Sequence, residues 1–353
     1  MERRRSKQVR IGRVEVGADA PISIQSMAKT DTRKVPATVN QIKKLQELGC
    51  EIVRVAVLDR KACQVLDEIK NQIEIPLVAD IHFDYKLALA ALANGADGIR
   101  INPGNIGARG RIVQIAKAAL ARKIPIRVGV NSGSLDRERY PSPLPEAMVA
   151  SAEDCIRVLE DSGFYDIIIS LKASDAPTTI RAYQLMASRC DYPFHLGITA
   201  AGLPPGGTIR SAVGMGTLLA QGIGDTIRVS LTGPPEEEVR AGWEILKSLG
   251  LRTHGIDLMS CPTCGRCEID LIKIAREVQK RLAQLPVTNY QLPVKVAVMG
   301  CVVNGPGEAE EADIGIAGGR KAGILFKKGE ILRKVKESDL VPALLDEIEG
   351  MIQ

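Results

Sequence analysis

Between Ile22 and Leu249, short β-branched runs alternate with longer stretches of helical period. No other feature of the chain restricts its fold so strongly. The runs are Ile22–Gln25, Ile52–Val57, Leu77–Asp80, Gly98–Ile101, Ile126–Val130, Asp166–Leu171, Phe194–Gly197 and Thr226–Ser230. Between them apolar residues recur three and four apart, as in Val39–Leu48, Ala62–Ile69, Ile106–Ala121, Met148–Leu159, Thr208–Ala220 and Glu236–Leu249. Gly or Pro marks most joints, among them Gly49, Pro76, Gly95 and Pro125. Strict alternation implies a parallel sheet, and eight units predict a closed (β/α)8 TIM barrel. A doubly wound sheet is the alternative. It usually has fewer strands and a Gly-rich fingerprint after the first, and no G-x-G-x-x-G stands there.

The polar residues of this region gather at the carboxyl ends of the runs, where a barrel opens its active-site mouth. Ser26 follows the first run and Arg54 lies on the second. Asp80 and His82 close the third. Arg100 and Asn102 frame the end of the fourth, and Arg127 and Asn131 belong to the fifth. Ser170 and Lys172 belong to the sixth, Thr199 follows the seventh, and Arg228 and Ser230 lie on the eighth. A single charge at such a place reads as a solvated rim residue. Four Arg and one Lys on five strands do not, because buried cations need anions beside them. Asp80 alone cannot supply these, so the pattern points to an anionic ligand with two phosphates. Two loops at the mouth stand out. Ser132–Pro145 is long and polar, a candidate lid, and Gly202–Gly207 precedes a helical stretch and is placed to offer backbone N–H groups to phosphate. Each also reads as an ordinary surface loop.

After Leu249 the period changes, and a second, small α/β domain is expected over 258–353, leaving 1–257 to the barrel. Four of the eight cysteines fall in it. Cys261 and Cys264 form a C-x-x-C, Cys267 follows, and Cys301 opens the loop Val302-Val303-Asn304-Gly305-Pro306-Gly307-Glu308. Such thiols suit zinc, an iron–sulfur cluster or redox dithiols, and spacing does not choose among them. The ferredoxin-like run is broken at Leu271, so a remaining ligand must come from Cys301 or beyond. An amphipathic helix is expected over Glu268–Leu285, then a strand at Val294–Met299, short strands around Ile314–Ala317 and Ala322–Phe326, and a last helix near Leu340–Ile352.

The chain has 353 residues, 45% apolar and 25% charged, the balance of a soluble globular protein. Aromatics are only 3%, which argues against a base-stacking surface for nucleic acid. No apolar run reaches the roughly 18 residues of a membrane helix. Arg3, Arg4 and Arg5 have no apolar stretch behind them and read as a solvated tail rather than a secretory signal. A cytoplasmic, reducing location is therefore expected, where thiols bind metal rather than pair. Cys50, Cys63, Cys155 and Cys190 read as small buried residues.

Taken together, Cys261-Pro-Thr-Cys264-Gly-Arg and Gly300-Cys301-Val-Val-Asn-Gly-Pro-Gly-Glu308 resemble the 4-hydroxy-3-methylbut-2-enyl diphosphate synthase family of the non-mevalonate isoprenoid pathway, in its two-domain bacterial form. The resemblance runs through the barrel, at Asp80-Ile-His82-Phe, Arg100-Ile-Asn102-Pro-Gly-Asn105, Arg127-Val-Gly-Val-Asn131-Ser, Leu171-Lys172-Ala-Ser and Arg228-Val-Ser230. It implies a [4Fe-4S] cluster held by Cys261, Cys264, Cys301 and Glu308, with Cys267 spare. It implies reductive ring opening of 2-C-methyl-D-erythritol 2,4-cyclodiphosphate with loss of water, electrons coming from flavodoxin or ferredoxin. Arg54, Arg100, Arg127, Lys172, Arg228 and Ser230 would hold the diphosphate. Asp80, His82, Asn131 and Glu308 would serve the chemistry. The resemblance also implies a homodimer in which the small domain of one subunit caps the barrel of the other. One departure is Ala200, where the family segment Thr-Glu-Ala-Gly carries Glu; turnover of Ala200→Glu equal to that of the native protein would show that the missing carboxylate is immaterial. A second reading, from another class, is a zinc-stabilised barrel that binds a phosphorylated ligand or RNA without catalysis. Colour separates the two, since iron–sulfur protein is brown.

Overall fold

A computed structural model describes residues 2–282, 294–302, 307 and 309–352. They form two compact units, Met1–Arg252 and Thr253–Gln353.

The first unit begins with a hairpin, β1 (Val9–Ile11) and β2 (Val14–Val16). The barrel strands follow: β3 (Ser23–Met27), β4 (Ile52–Val57), β5 (Leu77–Ile81), β6 (Gly98–Ile101), β7 (Ile126–Asn131), β8 (Ile167–Lys172), β9 (His195–Leu196) and β10 (Thr226–Ile227). All eight pair in parallel, in the order β8-β7-β6-β5-β4-β3-β10-β9. A single parallel bridge, Ile169 to Phe194, brings β8 beside the entry to β9 and nearly closes the ring. The expected TIM barrel is therefore what the chain forms. Crossover helices start where the sequence supplies caps. Asp59, Asp84 and Asp175 accept from Ala62, Lys86 and Thr178 backbone N–H groups at 2.8–2.9 Å, and Pro177 and Pro235 sit in the first turn of their helices. Gly49 and Gly95 end theirs with φ of 85° and 88°, angles that carry no steric cost without a Cβ.

Strand residues alternate between the helices and the barrel interior. Ile24 and Ile227 pack toward Gly242 of helix Pro235–Ser248, so Ser23, Gln25 and Thr226 point inward. At the amino end of the barrel the interior is apolar, where Val9, Ile11 and Val16 of the hairpin pack on Ile52, Val78 and Ile168. The hairpin thus plugs the floor.

The stretch before the hairpin corrects an expectation. Arg3 and Arg4 are not a solvated tail. Arg3 donates to the Ala20 carbonyl at 2.6 Å and to Asp225 at 3.1 Å. Arg4 donates to the Cys190 and Tyr192 carbonyls and lies 4.0 Å over the Phe194 ring. The buried Asp225 carboxylate is the reason, since it needs cations beside it. Arg5 is exposed as expected.

The second unit is a five-stranded sheet: β11 (Ile256–Ser260), β12 (Val294–Met299), β13 (Ile314–Gly319), β14 (Ala322–Lys327) and β15 (Glu330–Lys336), side by side in that order. β11, β12 and β13 pair in parallel, and β14 runs against both its neighbours, β13 and β15. Helices Leu271–Leu282 and Leu340–Ile352 bury one face through Ile274, Val278, Leu344 and Ile348 against Val296, Ile314 and Leu325. Ala297, Met299, Ala317 and Phe326 form a smaller apolar cluster with Ala309 and Ala312. The helix expected from Glu268 starts at Leu271, because Asp270 caps it, its carboxylate accepting from the Lys273 N–H at 3.1 Å. The part of that helix expected beyond Leu282 lies outside the described residues. Among the described residues, no helix is long and apolar enough to cross a membrane.

Candidate active site

Five cations gather inside the barrel, from β4, β6, β7, β8 and the residue just past β10. Arg54, Arg100, Arg127 and Lys172 are buried, and the Arg228 side chain is 12% exposed. Two carboxylates answer them. Asp80 lies 3.4 Å from Arg54 Nε and 3.2 Å from Arg100 Nη1. Glu238 takes Arg228 at 3.2 Å and Lys29 at 2.9 Å. Sequence reasoning missed Glu238, which sits among three acids opening helix Pro235–Ser248 and reads as solvated. The signal was its phase: it shares the buried face with Gly242 and Leu246, four and eight residues on.

Arg127 and Lys172 are left over. Arg127 donates to the Gln25 amide oxygen at 2.6 Å but meets no carboxylate, and Lys172 makes no ion pair or hydrogen bond among the described residues. Burial pushes both well below their ordinary pKa values, and neighbouring guanidiniums, Arg54 foremost, push them further. Asp80 shows the converse. Burial alone would raise its carboxyl, but Arg54, a hydrogen bond from His82 and Arg100 outweigh that and hold it well below the carboxylate range. The mouth is therefore short of negative charge at two cations that water barely reaches. A bound dianion relieves that deficit.

Glycines make the room. A Cβ on Gly129 would collide with the Arg100 guanidinium. One on Gly197 would sit 2.7 Å from Lys172 Nζ and from the Arg228 carbonyl. At the rim, His82 is 44% exposed with Nε2 3.7 Å from Asp80 Oδ2. Asn131 and Ser230 are half-buried there. Asn102 is buried, caps Pro103–Ile106 through the Gly104 N–H and donates to Ser134 Oγ at 2.7 Å. The Ser132–Pro145 segment is thereby tied to β6, and farther along Tyr140 bonds Asp154 at 2.8 Å. Ala200 is exposed, with φ of 50°.

Below the cations lies a layer no motif announced. His195 is fully buried, and neither ring nitrogen has a partner among the described residues. It shares a register row with Thr226 and Ser23, whose hydroxyls are also unpartnered. Burial, then Arg127 and Lys172, hold the imidazole well below its ordinary pKa, so it stays neutral and offers one acceptor nitrogen.

In the second unit, Cys261 follows β11 and Cys301 follows β12, so two neighbouring parallel strands deliver thiols to one edge of the sheet. The Gly300 N–H donates to Cys261 Sγ at 3.2 Å. A Cβ on Gly300 would lie 2.8 Å from Cys267 Sγ, so only glycine lets the sulfurs this close. Cys267 donates to the Ile269 carbonyl at 3.3 Å, and Cys264 is exposed. Among the described residues, no three His, Cys, Asp or Glu side chains are already arranged around a metal ion. Glu308 lies outside the described residues. The donor chemistry nevertheless fits an iron–sulfur group: thiols converge from two strand ends, and a backbone N–H already points at a sulfur.

Two family models match the chain. One, described as the GcpE TIM-barrel domain, covers residues 6–243, and the other, the GcpE protein C-terminal domain, covers 257–350. The chain belongs to the GcpE family. Curated relatives agree over almost the full length. The protein of Geobacter sulfurreducens is 58% identical over 99% of this chain and 98% of its own, and that of Caldanaerobacter subterraneus subsp. tengcongensis is 57% identical over the same shares. Both are named 4-hydroxy-3-methylbut-2-en-1-yl diphosphate synthase (flavodoxin). Among solved structures, the dihydropteroate synthase of Xanthomonas albilineans superposes with a TM-score of 0.51 at 15% identity, over 70% of this chain and 97% of that one. That likeness carries the barrel fold alone.

Proposed function

We propose that this GcpE-family chain makes (E)-4-hydroxy-3-methylbut-2-enyl diphosphate by reductive ring opening of 2-C-methyl-D-erythritol 2,4-cyclodiphosphate. The observation that carries the reading is the pair of buried cations, Arg127 and Lys172, that meet no carboxylate among the described residues, inside a barrel whose other buried cations are matched. Arg54, Arg100, Arg127, Lys172, Arg228 and Ser230 bind the diphosphate and orient the ring. Substrate charge restores the balance that burial upsets, so binding and electrostatic relief are one event.

The balance of the reaction is two electrons in, two C–O bonds broken, one C=C bond formed, and a proton taken up by the departing hydroxide to give water. Asp80 stays ionised between Arg54 and Arg100, so it is not the proton donor. It orients His82, whose half-exposed imidazole is the candidate acid at the rim. Asn131 is placed to hydrogen-bond the reacting end. The second unit is the electron-delivering domain, with Cys261, Cys264, Cys301 and Glu308 as ligands of a [4Fe-4S] cluster and flavodoxin or ferredoxin as donor. When bound, such a cluster supplies single electrons and a Lewis-acidic iron. We take the working form to be a homodimer.

The test is an anaerobic assay of the iron-loaded protein with dithionite and the cyclic diphosphate, read by mass spectrometry. The open-chain diphosphate is the expected product. A colourless protein that holds zinc and returns the substrate unchanged would replace this reading with that of a binding protein.

A further inference from the structure

We propose that the basic edge of the second unit's sheet, beside its cysteine loop, is the docking surface for an acidic one-electron carrier protein of the flavodoxin type. The proposal rests on the function just given and adds where the electrons enter.

Charge is segregated within this unit. Residues 320–336 carry seven basic side chains and one acidic, Glu330, while the rest of 253–353 carries six basic and thirteen acidic. The chain's net charge is only +5, so this one hairpin exceeds the excess of the whole protein. Like charges packed so closely repel; β14 is buried and β15 is the exposed edge strand, where basic side chains also deter pairing with another strand. Arg320, Lys321, Arg333, Lys334 and Lys336 are all exposed. Among the described residues, Arg320 alone of these five has a carboxylate partner, Glu268 at 3.5 Å.

Topology puts part of this charge next to the thiols. Strands β11, β12 and β13 are parallel, so the β13–β14 turn at Arg320 and Lys321 leaves the sheet by the edge where Cys261 and Cys301 lie. Strand β15 runs the same way as β13, and Lys336 pairs with Ala322, so Lys334 and Lys336 finish at that edge too. Contacts agree. A Cβ on Gly319 would lie 3.8 Å from Val302, the neighbour of Cys301, and Glu268, the partner of Arg320, is the neighbour of Cys267. Lys327 and Lys328 lie at the opposite end, where Lys327 pairs with Glu330.

This arrangement suits a transient electron-transfer encounter. Such interfaces are small and weak, and complementary charge raises their on-rate and makes it sensitive to salt. Glu268, Glu337 and Asp339 stand at the same edge, so the basic side of it is the one formed by Lys321, Lys334 and Lys336, and that side draws an acidic carrier toward the thiols.

The test compares two charge reversals of equal size in the iron-loaded protein. Lys334→Glu with Lys336→Glu alters the thiol edge, and Lys327→Glu with Lys328→Glu alters the far end. Binding of reduced and oxidised flavodoxin is titrated from low to physiological salt, and turnover is measured with flavodoxin and, separately, with dithionite. The expected result is a roughly 10–100-fold weaker Kd for the thiol-edge pair at low salt, with a flattened salt dependence and a near-native dithionite rate. The far-end pair stays within about threefold of the native Kd. Equal weakening by both pairs, or a native Kd and salt slope in the thiol-edge pair, overturns the proposal. Loss of the dithionite rate in that pair also overturns it, because the edge then serves the substrate or a second copy of the chain. A native protein inactive with dithionite removes the functional reading, and the flavodoxin titration still decides the docking surface on its own.

Discussion

At the scale of residues, the site is an imbalance held in place by burial. Lys172 is the sharpest case. Its ammonium is pushed well below the ordinary lysine value by burial and by Arg54, Arg228, Arg127 and Arg100. A bound diphosphate must push it back up, so ligand binding takes up a proton at any pH between the free and bound values. Calorimetry with inorganic pyrophosphate in buffers of different ionisation enthalpy is expected to show net proton uptake, and Lys172→Met to lessen it. The same substitution is expected to weaken pyrophosphate binding about 10–100-fold, the worth of one charge-assisted hydrogen bond. Asp80 runs the other way. Its folded-state pKa is depressed, so its stabilisation is complete above the ordinary carboxylate pKa and is lost as pH falls toward the folded value. Asp80→Asn leaves Arg54 and Arg100 uncompensated. Chemical denaturation at neutral pH is expected to show a loss of about 3–5 kcal/mol, shrinking in strongly acid solution; a loss under about 1 kcal/mol would mean that the arginines find other partners.

At the scale of elements, alternation made the barrel legible, because period-2 and period-3.6 runs separated by Gly and Pro leave few topologies open. The cations were legible because each interrupts or ends an apolar run: Arg54 and Arg127 stand inside β4 and β7, Arg100 and Lys172 at or near the ends of β6 and β8, and Arg228 just past β10. What hid was what local pattern does not encode. Strands β1 and β2 are three residues each, too short to register as periodic runs, yet they plug the barrel floor. Strand β15 is exposed along most of its length and reads as a charged loop. His195 is one polar residue in an apolar run, and only the nearly closed ring brings it near enough to Arg127 and Lys172 to feel their charge. Gly129 and Gly197 gave no signal, since their purpose is space for a side chain on another strand. Gly129→Ala tests this. The added methyl must displace the Arg100 guanidinium, which also donates to the Gly129 carbonyl at 2.9 Å. Pyrophosphate affinity is expected to fall about tenfold or more while the circular dichroism spectrum stays native. An unchanged affinity would show that Arg100 has room to move.

At the scale of the molecule, the chain joins a charge-hungry barrel to a small sheet that gathers thiols at one edge, and the two chemistries serve one reaction in the reading given above. The cysteine arrangement makes a prediction that separates ligand from bystander. Cys301→Ser is expected to lose the iron and sulfide that the native protein takes up on anaerobic reconstitution, and Cys267→Ser to keep them. The reverse pattern would move the ligand set onto the C-x-x-C-x-x-C run. The central claim is that the cationic cup and the thiol-held electron carrier act on the same molecule. Electron paramagnetic resonance of the reduced, iron-loaded protein tests it most directly, with and without saturating 2-C-methyl-D-erythritol 2,4-cyclodiphosphate. A changed iron signal is expected in the native protein and an unchanged one in Lys172→Met at the same substrate concentration. A native signal indifferent to bound substrate, or a Lys172→Met signal that shifts just as readily, would contradict it.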